Sequence, residues 1–483
     1  MDLELFNGFI RHNRIRDAID YLRQCLKDCA PAEKADIYEQ LGYCGYLTSD
    51  MALAADSYIK AAQHDVKLRR QMSHFSSFLF CLHYLPDISP RDLTENIRYY
   101  DTFCRDIRGY DSHHTRSGQD ARLRVGYLSS DWQDHAMADF LAPFVSEYDE
   151  TRFQVFAYVL NEADDYTAML KEKGAGATWR DLSGRSPAEA ADMIHQDNLD
   201  ILVDLGGHSH GGESLMIMAH KPAPVQISGL GWINTTGLSA IDYFITDEVC
   251  HKGAQEADLF SEMPLLLDGP QLCYAPVDKA KFELAETTPK RRYGNTGQEV
   301  IYGVFSNFSK ITDEMLRGWD EILAQVKDSI LVLKDTTGEP ARQLAMRARV
   351  GQNIRCNPER IIVEGASLDY LACYRDVDIV LDTYPYTGGA TVCEALYMGR
   401  PVIALKGDNH GRRFSSSILV YSGFADFVAM DMAEYIKKAV AIGQKEALES
   451  LQREVATRFK QSRLMQGKAY MGRLEKYFSD LIR

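Results

Sequence analysis

The chain has 483 residues, of which 45% are apolar, and its formal net charge is -15 at pH 7. This length predicts about three domains, and the apolar fraction is ordinary for packed globular cores. The acidic balance disfavours nucleic acid or an anionic membrane surface as the main partner, because the average field of the chain repels both. No stretch approaches ~18 consecutive apolar residues, and the N-terminus lacks a basic start and an apolar signal core, so we predict a cytoplasmic protein.

Residues 1–115 have the pattern of α-helices, with apolar residues at spacings of three and four. One segment fits the tetratricopeptide repeat at positions 4, 7, 8, 20, 24 and 27 counted from Ala35. The residues at these positions are Tyr38, Leu41, Gly42, Ala54, Tyr58 and Ala61. A weaker copy precedes it, with Ala18 36 residues before Ala54. We predict a helical, tetratricopeptide-like region, to which an ordinary amphipathic helical hairpin is the alternative.

From Arg122 onward, short apolar runs alternate with helical segments. Runs such as "LRVGYL" and "DILVDL" indicate strands buried on both faces, which means parallel strands covered by helices. A second series starts at "VIYGVFS", after a polar stretch at 277–299 that we predict to be a structureless linker. We therefore predict two doubly wound α/β domains, 116–276 and 300–483, the second closed by helices over about 432–482. Ligands of such sheets bind at the carboxyl ends of strands, and two facing domains would form a cleft.

The stretch "LDTYPYTGGATVCEALYMGRPVIAL", residues 381–405, predicts a strand, a glycine-paired turn, a short helix and a second strand. Gly388 and Gly389 allow close backbone approach, and a helix start offers unpaired N–H groups, so the turn favours an anion such as phosphate. One turn further, Glu394 could accept hydrogen bonds from the vicinal hydroxyls of a sugar. Together with Lys310 beyond a strand of the same half, these residues indicate a nucleotide site. The alternative is that the glycines only form a tight turn.

Six motifs in one order resemble the peptide O-GlcNAc transferase and SPINDLY family, glycosyltransferase family 41. The motifs are "LRVGYLSSDWQDH", "DILVDLGGHS", "KPAPVQISGLGW", "TTGLSAIDYFITD", "FSNFSK" and "LDTYPYTGGATVCEALYMGRPV". The similarity spans nearly the whole chain and implies tetratricopeptide helices followed by two catalytic halves of the GT-B type. It resembles the compact bacterial members, because nothing long separates the two halves.

The resemblance implies an inverting, metal-independent glycosyltransferase that moves GlcNAc from UDP-GlcNAc to Ser or Thr of an acceptor protein. The donor would be a substrate, and no cofactor is expected. Another donor, such as UDP-glucose or GDP-fucose, or an Asn acceptor stays open. Two other classes also stay open: a catalytically dead helical-repeat binding protein, and a sugar-nucleotide epimerase, which would need no protein acceptor.

The resemblance assigns roles at the donor end. Lys310 would neutralise the leaving diphosphate, and Asn307 would contact the same phosphate. Thr391 matches a threonine that binds the diphosphate at the helix start, and Glu394 matches an acidic ribose ligand. Tyr370 stands where the family usually has a histidine against uracil, and a tyrosine can stack there.

Departures from the family occur in the same turn and in a second loop. Gly389 and Ala390 replace side chains that touch phosphate in animal members, so these two positions belong to the predicted nucleotide-sugar site by their backbone. The common "GYPGT" of the sugar pocket becomes "GWINT" in this chain. Both departures leave the choice of nucleotide and sugar open.

Proton transfer is assigned to the first catalytic half. His135 matches a histidine close to the reacting centre, and histidine suits proton handling because its side chain titrates near neutral pH. Asp139 is a second candidate for the base. His208 matches the usual bacterial histidine of the donor region. By residue type, His208, His210 and Glu213 could also bind a metal, but no ligand cluster at fixed spacing accompanies them, so we predict no metal site.

Overall fold

The computed structural model describes residues 1–113, 122–289, 293–294, 298–444 and 448–482. Two compact units form, each from two separate segments of the chain. Unit 1 consists of Met1–Ile88 and Asp278–Lys460, and unit 2 consists of Ser89–Val277 and Gln461–Arg483. The predicted boundary between residues 115 and 116 lies outside the described residues. Within the described part of the chain, none of the helices combines the length and apolar character needed to cross a membrane.

Unit 1 begins with a run of helices, as the sequence pattern predicts. These are α1 (Leu3–Arg11), α2 (Ile15–Asp28), α3 (Lys34–Thr48), α4 (Met51–His64) and α5 (Leu68–His83). Helix α3 ends at Thr48 and is capped by Ser49, whose left-handed backbone has φ 58°. The side chain of Asp50 caps α4 by accepting from the Leu53 N–H at 3.0 Å. The two helices therefore meet through a tight turn and form a helical hairpin.

Close packing between α3 and α4 depends on small residues. A Cβ placed on Gly42 would lie 2.8 Å from the ring of Tyr58, and one on Gly45 would lie 2.7 Å from the backbone nitrogen of Ala54. Ala54 and Ala61 are completely buried in the same interface. The helical prediction is confirmed for this hairpin, while its assignment to the tetratricopeptide class stays a prediction.

Unit 2 is built on a seven-stranded parallel sheet with the strand order β3-β2-β1-β4-β5-β6-β7. Its elements are α6 (Pro90–Arg98), β1 (Leu123–Ser129), α7 (Ala138–Ser146), β2 (Phe153–Val159), α8 (Asp165–Lys173), β3 (Thr178–Asp181), α9 (Pro187–Gln196), β4 (Ile201–Asp204), α10 (Glu213–Met218), β5 (Val225–Ser228), β6 (Tyr243–Asp247) and β7 (Met263–Leu267). The order reverses direction at β1, as in doubly wound folds, and the central strand β4 is buried along its whole length. This confirms the predicted parallel sheet.

The remainder of unit 1 is a six-stranded parallel sheet with the order β10-β9-β8-β11-β12-β13. Its elements are α11 (Lys279–Thr287), β8 (Val300–Phe305), α12 (Asp313–Gln325), β9 (Ser329–Lys334), α13 (Pro340–Asn353), β10 (Ile361–Glu364), β11 (Ile379–Leu381), α14 (Ala390–Tyr397), β12 (Val402–Leu405), α15 (Phe414–Tyr421), β13 (Val428–Ala429), α16 (Met432–Gly443) and α17 (Leu448–Gln461). In its core the indole N–H of Trp319 donates to the Tyr435 hydroxyl at 3.3 Å, which donates to the Asp382 carbonyl at 2.9 Å. A buried aromatic chain therefore reaches the carboxyl end of β11.

The stretch predicted as a structureless linker contains a helix. Helix α11 begins after Asp278, whose side chain accepts from the Lys281 N–H at 3.3 Å. Phe282 packs on Tyr397 at 4.5 Å between ring centroids. The prediction was therefore wrong for this part of 277–299, because a capping aspartate and a single aromatic anchor suffice for a short helix that has no long apolar periodicity.

Both predicted helical regions are divided between the units. Helix α6 belongs to unit 2, where Thr94 donates to the Leu259 carbonyl at 3.2 Å. The last helix, α18 (Gly467–Leu481), also belongs to unit 2, where the Tyr470 hydroxyl donates to the Gln271 carbonyl at 3.0 Å and Glu475 accepts from the Asp149 N–H at 2.8 Å. The C-terminal helices were predicted to close the second catalytic half. Helix α18 instead belongs to unit 2, because its polar groups find their hydrogen-bond partners there.

We expect Gly45→Ala to lower the free energy of unfolding by about 1–2 kcal/mol. The new methyl group would lie 2.7 Å from the Ala54 nitrogen and 3.0 Å from the Asp50 carbonyl, and this overpacking outweighs the gain in helix propensity. Gly8→Ala in α1 is the matched control, because nothing lies within 4 Å of its added Cβ. Urea unfolding followed by circular dichroism measures both, and equal midpoints for the two variants would contradict the close packing.

Candidate active site

The strand β8 ends in a turn that presents Lys310. The Asn307 side chain accepts from the Ser309 N–H at 3.0 Å and closes a single 3-10 turn, Phe308–Lys310. The ammonium of Lys310 lies 4.2 Å from the centroid of the Tyr386 ring and 3.5 Å from the Thr387 carbonyl. Burial lowers the pKa of Lys310 to about 8, although the carboxylate of Asp382 opposes the shift. The turn therefore holds a cation whose charge is poorly compensated.

The predicted glycine-paired turn joins β11 to α14 beside this lysine. The Gly388 N–H donates to Asp382 Oδ1 at 2.9 Å. A Cβ on Gly388 would lie 2.8 Å from both this oxygen and Thr391 Oγ1, so the position leaves no room for a side chain. Gly389 is the N-cap of α14, and Ala390 begins the helix. Gly388, Gly389, Ala390 and Thr391 are thus brought together next to Lys310, as predicted.

A second helix start reaches the same turn. The Thr387 hydroxyl donates to the Gly411 carbonyl at 3.0 Å and accepts from the Ser415 N–H at 3.4 Å at the beginning of α15. In these segments Ser416 Oγ and Asn409 Nδ2 are buried without a hydrogen-bond partner among the described residues. Buried polar groups are normally paired, so unpaired ones in segments that hydrogen-bond to the glycine turn mark a site for a polar ligand.

The predicted ribose and base residues form one hydrogen-bonded chain. The Tyr374 hydroxyl donates to Glu394 Oε2 at 2.9 Å and lies 3.0 Å from the Tyr370 hydroxyl. The Tyr374 ring stacks on Phe305 at 4.1 Å between centroids. Burial and the Glu394 carboxylate raise the pKa of both phenols well above the usual value, so each stays a neutral donor. Tyr374, which the sequence reasoning missed, therefore orients Glu394.

Asn307 has structural contacts that the sequence did not predict. Its amide nitrogen donates to the Tyr46 hydroxyl at 2.6 Å, and its amide oxygen accepts from Arg342 as well as from Ser309. The guanidinium of Arg342 is completely buried, pairs with the equally buried Asp335 at 3.0 Å and donates to the Tyr46 carbonyl at 3.0 Å. Asn307 thus fastens the Lys310 turn to α3, and its contact with phosphate stays a prediction.

In unit 2, His135 shares a buried carboxylate with a second histidine. His135 Nδ1 lies 3.2 Å from Asp131 Oδ1, and His210 Nε2 lies 2.7 Å from the same oxygen. Asp131 follows the carboxyl end of β1, and its side chain is only 1% exposed. Hydrogen bonding to Asp131, with a smaller contribution from Glu213, raises the pKa of His210. Asp131 stands four residues before His135, a spacing that could have suggested the pair.

The two other predicted residues of this half have structural partners. Asp139 Oδ1 accepts from the Val277 N–H at 2.8 Å, so the carboxylate anchors the segment after β7. His208 is completely buried, and its Nε2–H donates to the Thr236 carbonyl at 2.9 Å between Tyr100 and Trp232. The structure therefore does not bring either residue into the cluster of Asp131, His135 and His210, and their functional roles stay predictions.

Two parallel, Rossmann-like sheets with an N-terminal helical region define the GT-B glycosyltransferase fold. The chain belongs to glycosyl transferase family 41, whose model matches residues 104–267 and 277–474.

The chain is similar to plant proteins and to a solved O-GlcNAc transferase structure. It is 30% identical over 416 residues to "Probable UDP-N-acetylglucosamine--peptide N-acetylglucosaminyltransferase SPINDLY" of Petunia hybrida, covering 84% of this chain and 44% of the relative. A SEC relative from Arabidopsis thaliana is 29% identical, covering 70% and 35%. An O-GlcNAc transferase from Thermobaculum terrenum, solved as a lysine-to-methionine mutant, superposes with a TM-score of 0.83 and 27% identity, covering 98% and 89%. The chain spans less than half the length of the plant relatives.

Tyr46→Phe should destabilise unit 1 by about 1–3 kcal/mol, because it removes the acceptor of the Asn307 amide and leaves that donor without this partner. The phenyl ring would still pack under Arg342, which lies 4.6 Å above it, so the change isolates the hydroxyl. Tyr43→Phe on the same helix is the matched control. Thermal unfolding of both variants tests this prediction. An equal shift of the unfolding midpoint for the two would show that the Tyr46 hydroxyl does not hold the Lys310 turn.

Proposed function

We propose that this chain is an inverting, metal-independent glycosyltransferase that moves GlcNAc from UDP-GlcNAc to Ser or Thr of an acceptor protein, with no cofactor. The observation that carries the proposal is the donor-type site of unit 1. There a partly buried lysine, a glycine turn at two helix starts and an oriented carboxylate stand at the carboxyl ends of parallel strands. Membership of family 41 and the names of the relatives support the same chemistry.

The donor would bind along the segment from Tyr370 to Lys310. Glu394, oriented by the Tyr374 hydroxyl, would accept hydrogen bonds from the ribose, and Tyr370 would stack on the uracil. The diphosphate would lie against Gly388 and Thr391, where the N–H groups at the start of α14 are available. Lys310 would neutralise the charge that develops on the diphosphate as it leaves, and an ammonium beside helix starts can do this without a metal ion.

Inversion follows from a single displacement. The acceptor hydroxyl attacks C1 of the sugar, the bond between C1 and the diphosphate oxygen breaks, and UDP leaves with the electron pair. The hydroxyl proton would pass to His135 Nε2. For this step the Nδ1 proton would point at Asp131, 3.2 Å away, in place of the Met137 N–H that Nδ1 accepts at 3.3 Å, and Asp131 would stabilise the charged ring that forms. We prefer His135 to Asp139 as the base, because the Asp139 carboxylate already binds the Val277 backbone.

The donor is the part of the proposal that a direct assay must establish. Tyr370 replaces the usual family histidine, which favours testing other bases and sugars. UDP-GlcNAc, UDP-glucose and GDP-fucose, each incubated with the protein and an acceptor peptide library, would be followed by mass spectrometry. A glycosylated peptide from UDP-GlcNAc supports the proposal. Transfer from another donor only, epimerised donor without transfer, or donor binding without any product would each contradict it.

Lys310→Ala should lower kcat by about 10²–10³-fold while the protein stays folded, because it removes transition-state charge stabilisation. The exposed Lys327→Ala, in the connection that leads into β9, is the matched control. Because the pKa of Lys310 lies near 8, we expect the affinity of the parent for UDP to be highest near pH 7, where the phosphate is already ionised, and to fall as pH rises through 8. Calorimetry across this range should give a flat profile for Lys310→Ala, and the same decline in both proteins would contradict the assignment.

Asp131→Asn should lower kcat by at least about 10²-fold with little change in UDP affinity, because the amide cannot stabilise a protonated His135. The exposed Asp165→Asn at the start of α8 is the matched control. Initial rates and UDP titrations on both variants provide the measurement. Turnover of Asp131→Asn within a few-fold of the control would argue against His135 as the base.

A further inference from the structure

Asp131, His135 and His210 form a three-ligand cluster at the carboxyl ends of β1 and β4. One carboxylate oxygen and two imidazole nitrogens all lie within 4.8 Å of one another. The carboxylate is 1% exposed, while the imidazoles are 42% and 40% exposed, so an ion from solvent can reach them. The cluster therefore combines a buried anionic base with two accessible nitrogen ligands.

Among the described residues, Asp131 forms no ion pair with a permanently charged side chain. Within the described residues its ion-pair partners are the two imidazoles, which are positive only when protonated. A buried carboxylate is stable when it is paired with a cation or coordinates a metal. The side chains of the protein therefore neutralise the Asp131 carboxylate only in part, and a bound cation would complete the neutralisation.

His210 is held towards Asp131 by a strained backbone. Its φ of 49° and ψ of 40° lie in the left-handed region, which costs a non-glycine residue roughly 1–2 kcal/mol. Gly211 and Gly212, which follow it, have φ 72° and continue the left-handed turn. Such strain is concentrated at functional sites, so the placement of this imidazole needs an explanation beyond packing.

The donor set matches zinc. Zn²⁺ takes imidazole nitrogen and carboxylate oxygen at about 2.0–2.2 Å, and its catalytic-type sites use three protein ligands with one open position. In a tetrahedral site two ligand atoms are roughly 3.4 Å apart. The Asp131–His135 pair is at 3.2 Å, the Asp131–His210 pair is at 2.7 Å, and the two imidazole nitrogens lie within 4.8 Å of each other, so side-chain rotation of the two histidines would bring the set to this spacing. Mg²⁺ and Ca²⁺ prefer sets made of oxygen.

We propose that Asp131, His135 and His210 form a zinc site whose occupation inhibits glycosyl transfer. The inhibition rests on the proposed function, whereas the binding of zinc does not. A neutral imidazole carries one proton. With Zn²⁺ on His135 Nδ1 that proton must be on Nε2, so Nε2 cannot accept the proton of the acceptor hydroxyl. Zinc therefore replaces the proton on Nδ1 while Nε2 takes up one proton, so no net proton is released and His135 is locked in the inactive tautomer.

The direct test is calorimetric titration of the chelator-treated full chain with ZnCl₂. The parent should bind one Zn²⁺ through the cluster. His210→Gly should weaken zinc binding by more than about 10-fold, because the loss of even an outer-shell partner of a metal ligand typically lowers metal affinity by about 10–100-fold. Glycine suits the left-handed backbone at 210, so this variant keeps the fold, which thermal unfolding verifies. His12→Ala, an exposed histidine of unit 1, is the matched control and should bind as the parent does.

Three results would overturn the site: no Zn²⁺ binding by the parent, equal binding by His210→Gly, or equally tight binding of Mg²⁺. Transfer assays then test the inhibition. We expect Zn²⁺ at saturating concentration to abolish transfer by the parent and a chelator to restore it. Zinc bound through His210 without loss of transfer would overturn the inhibition. A chain without any transfer activity would overturn the proposed function and the inhibition, while the titration would still decide the metal site.

Discussion

The buried ion pair between Arg342 and Asp335 is the interaction on which the donor end of unit 1 depends. Both side chains are completely buried, and the guanidinium also serves Asn307 and the Tyr46 carbonyl. Removing one partner of such a pair leaves an uncompensated buried charge at a cost of about 3–5 kcal/mol. The pair therefore fixes the end of β9, the Lys310 turn and α3 in one arrangement, and the position of the lysine follows from it.

The helical region contributes to the same site through aromatic contacts. The ring of Tyr84, just beyond α5, stacks on Tyr386 at 4.9 Å between centroids, and Tyr386 in turn lies under the ammonium of Lys310. Arg412 donates to the carbonyls of Leu85 and Ile88, which end the helical segment. Residues far from the catalytic motifs in sequence thus create the low-polarity surroundings that lower the pKa of the lysine.

The sequence predicted those strands and turns that depend on residues close to one another in the chain. The buried strands β1, β4 and β8 follow from their apolar runs, and the turn around Gly388 follows from glycines beside a helix start. Strand β3 was missed because "TWRD" is a half-exposed edge segment without an apolar run. The bond between Asn307 and Tyr46 joins residues 261 apart, and the approach of His210 to Asp131 needs a left-handed turn. Neither leaves a signal in spacing.

The division of each unit into two chain segments has a consequence for how the protein folds during synthesis. The sheet of unit 1 is encoded after residue 277, although its first five helices are made at the start. Those helices must wait for α13, whose Ala341 belongs to their apolar cluster, while the segment Ser89–Val277 of unit 2 is translated. Unit 2 in turn lacks α18 until the segment after Lys460 has been translated. Each unit can therefore complete its core only after both of its chain segments are made, and unit 2, whose second segment follows that of unit 1, is completed later.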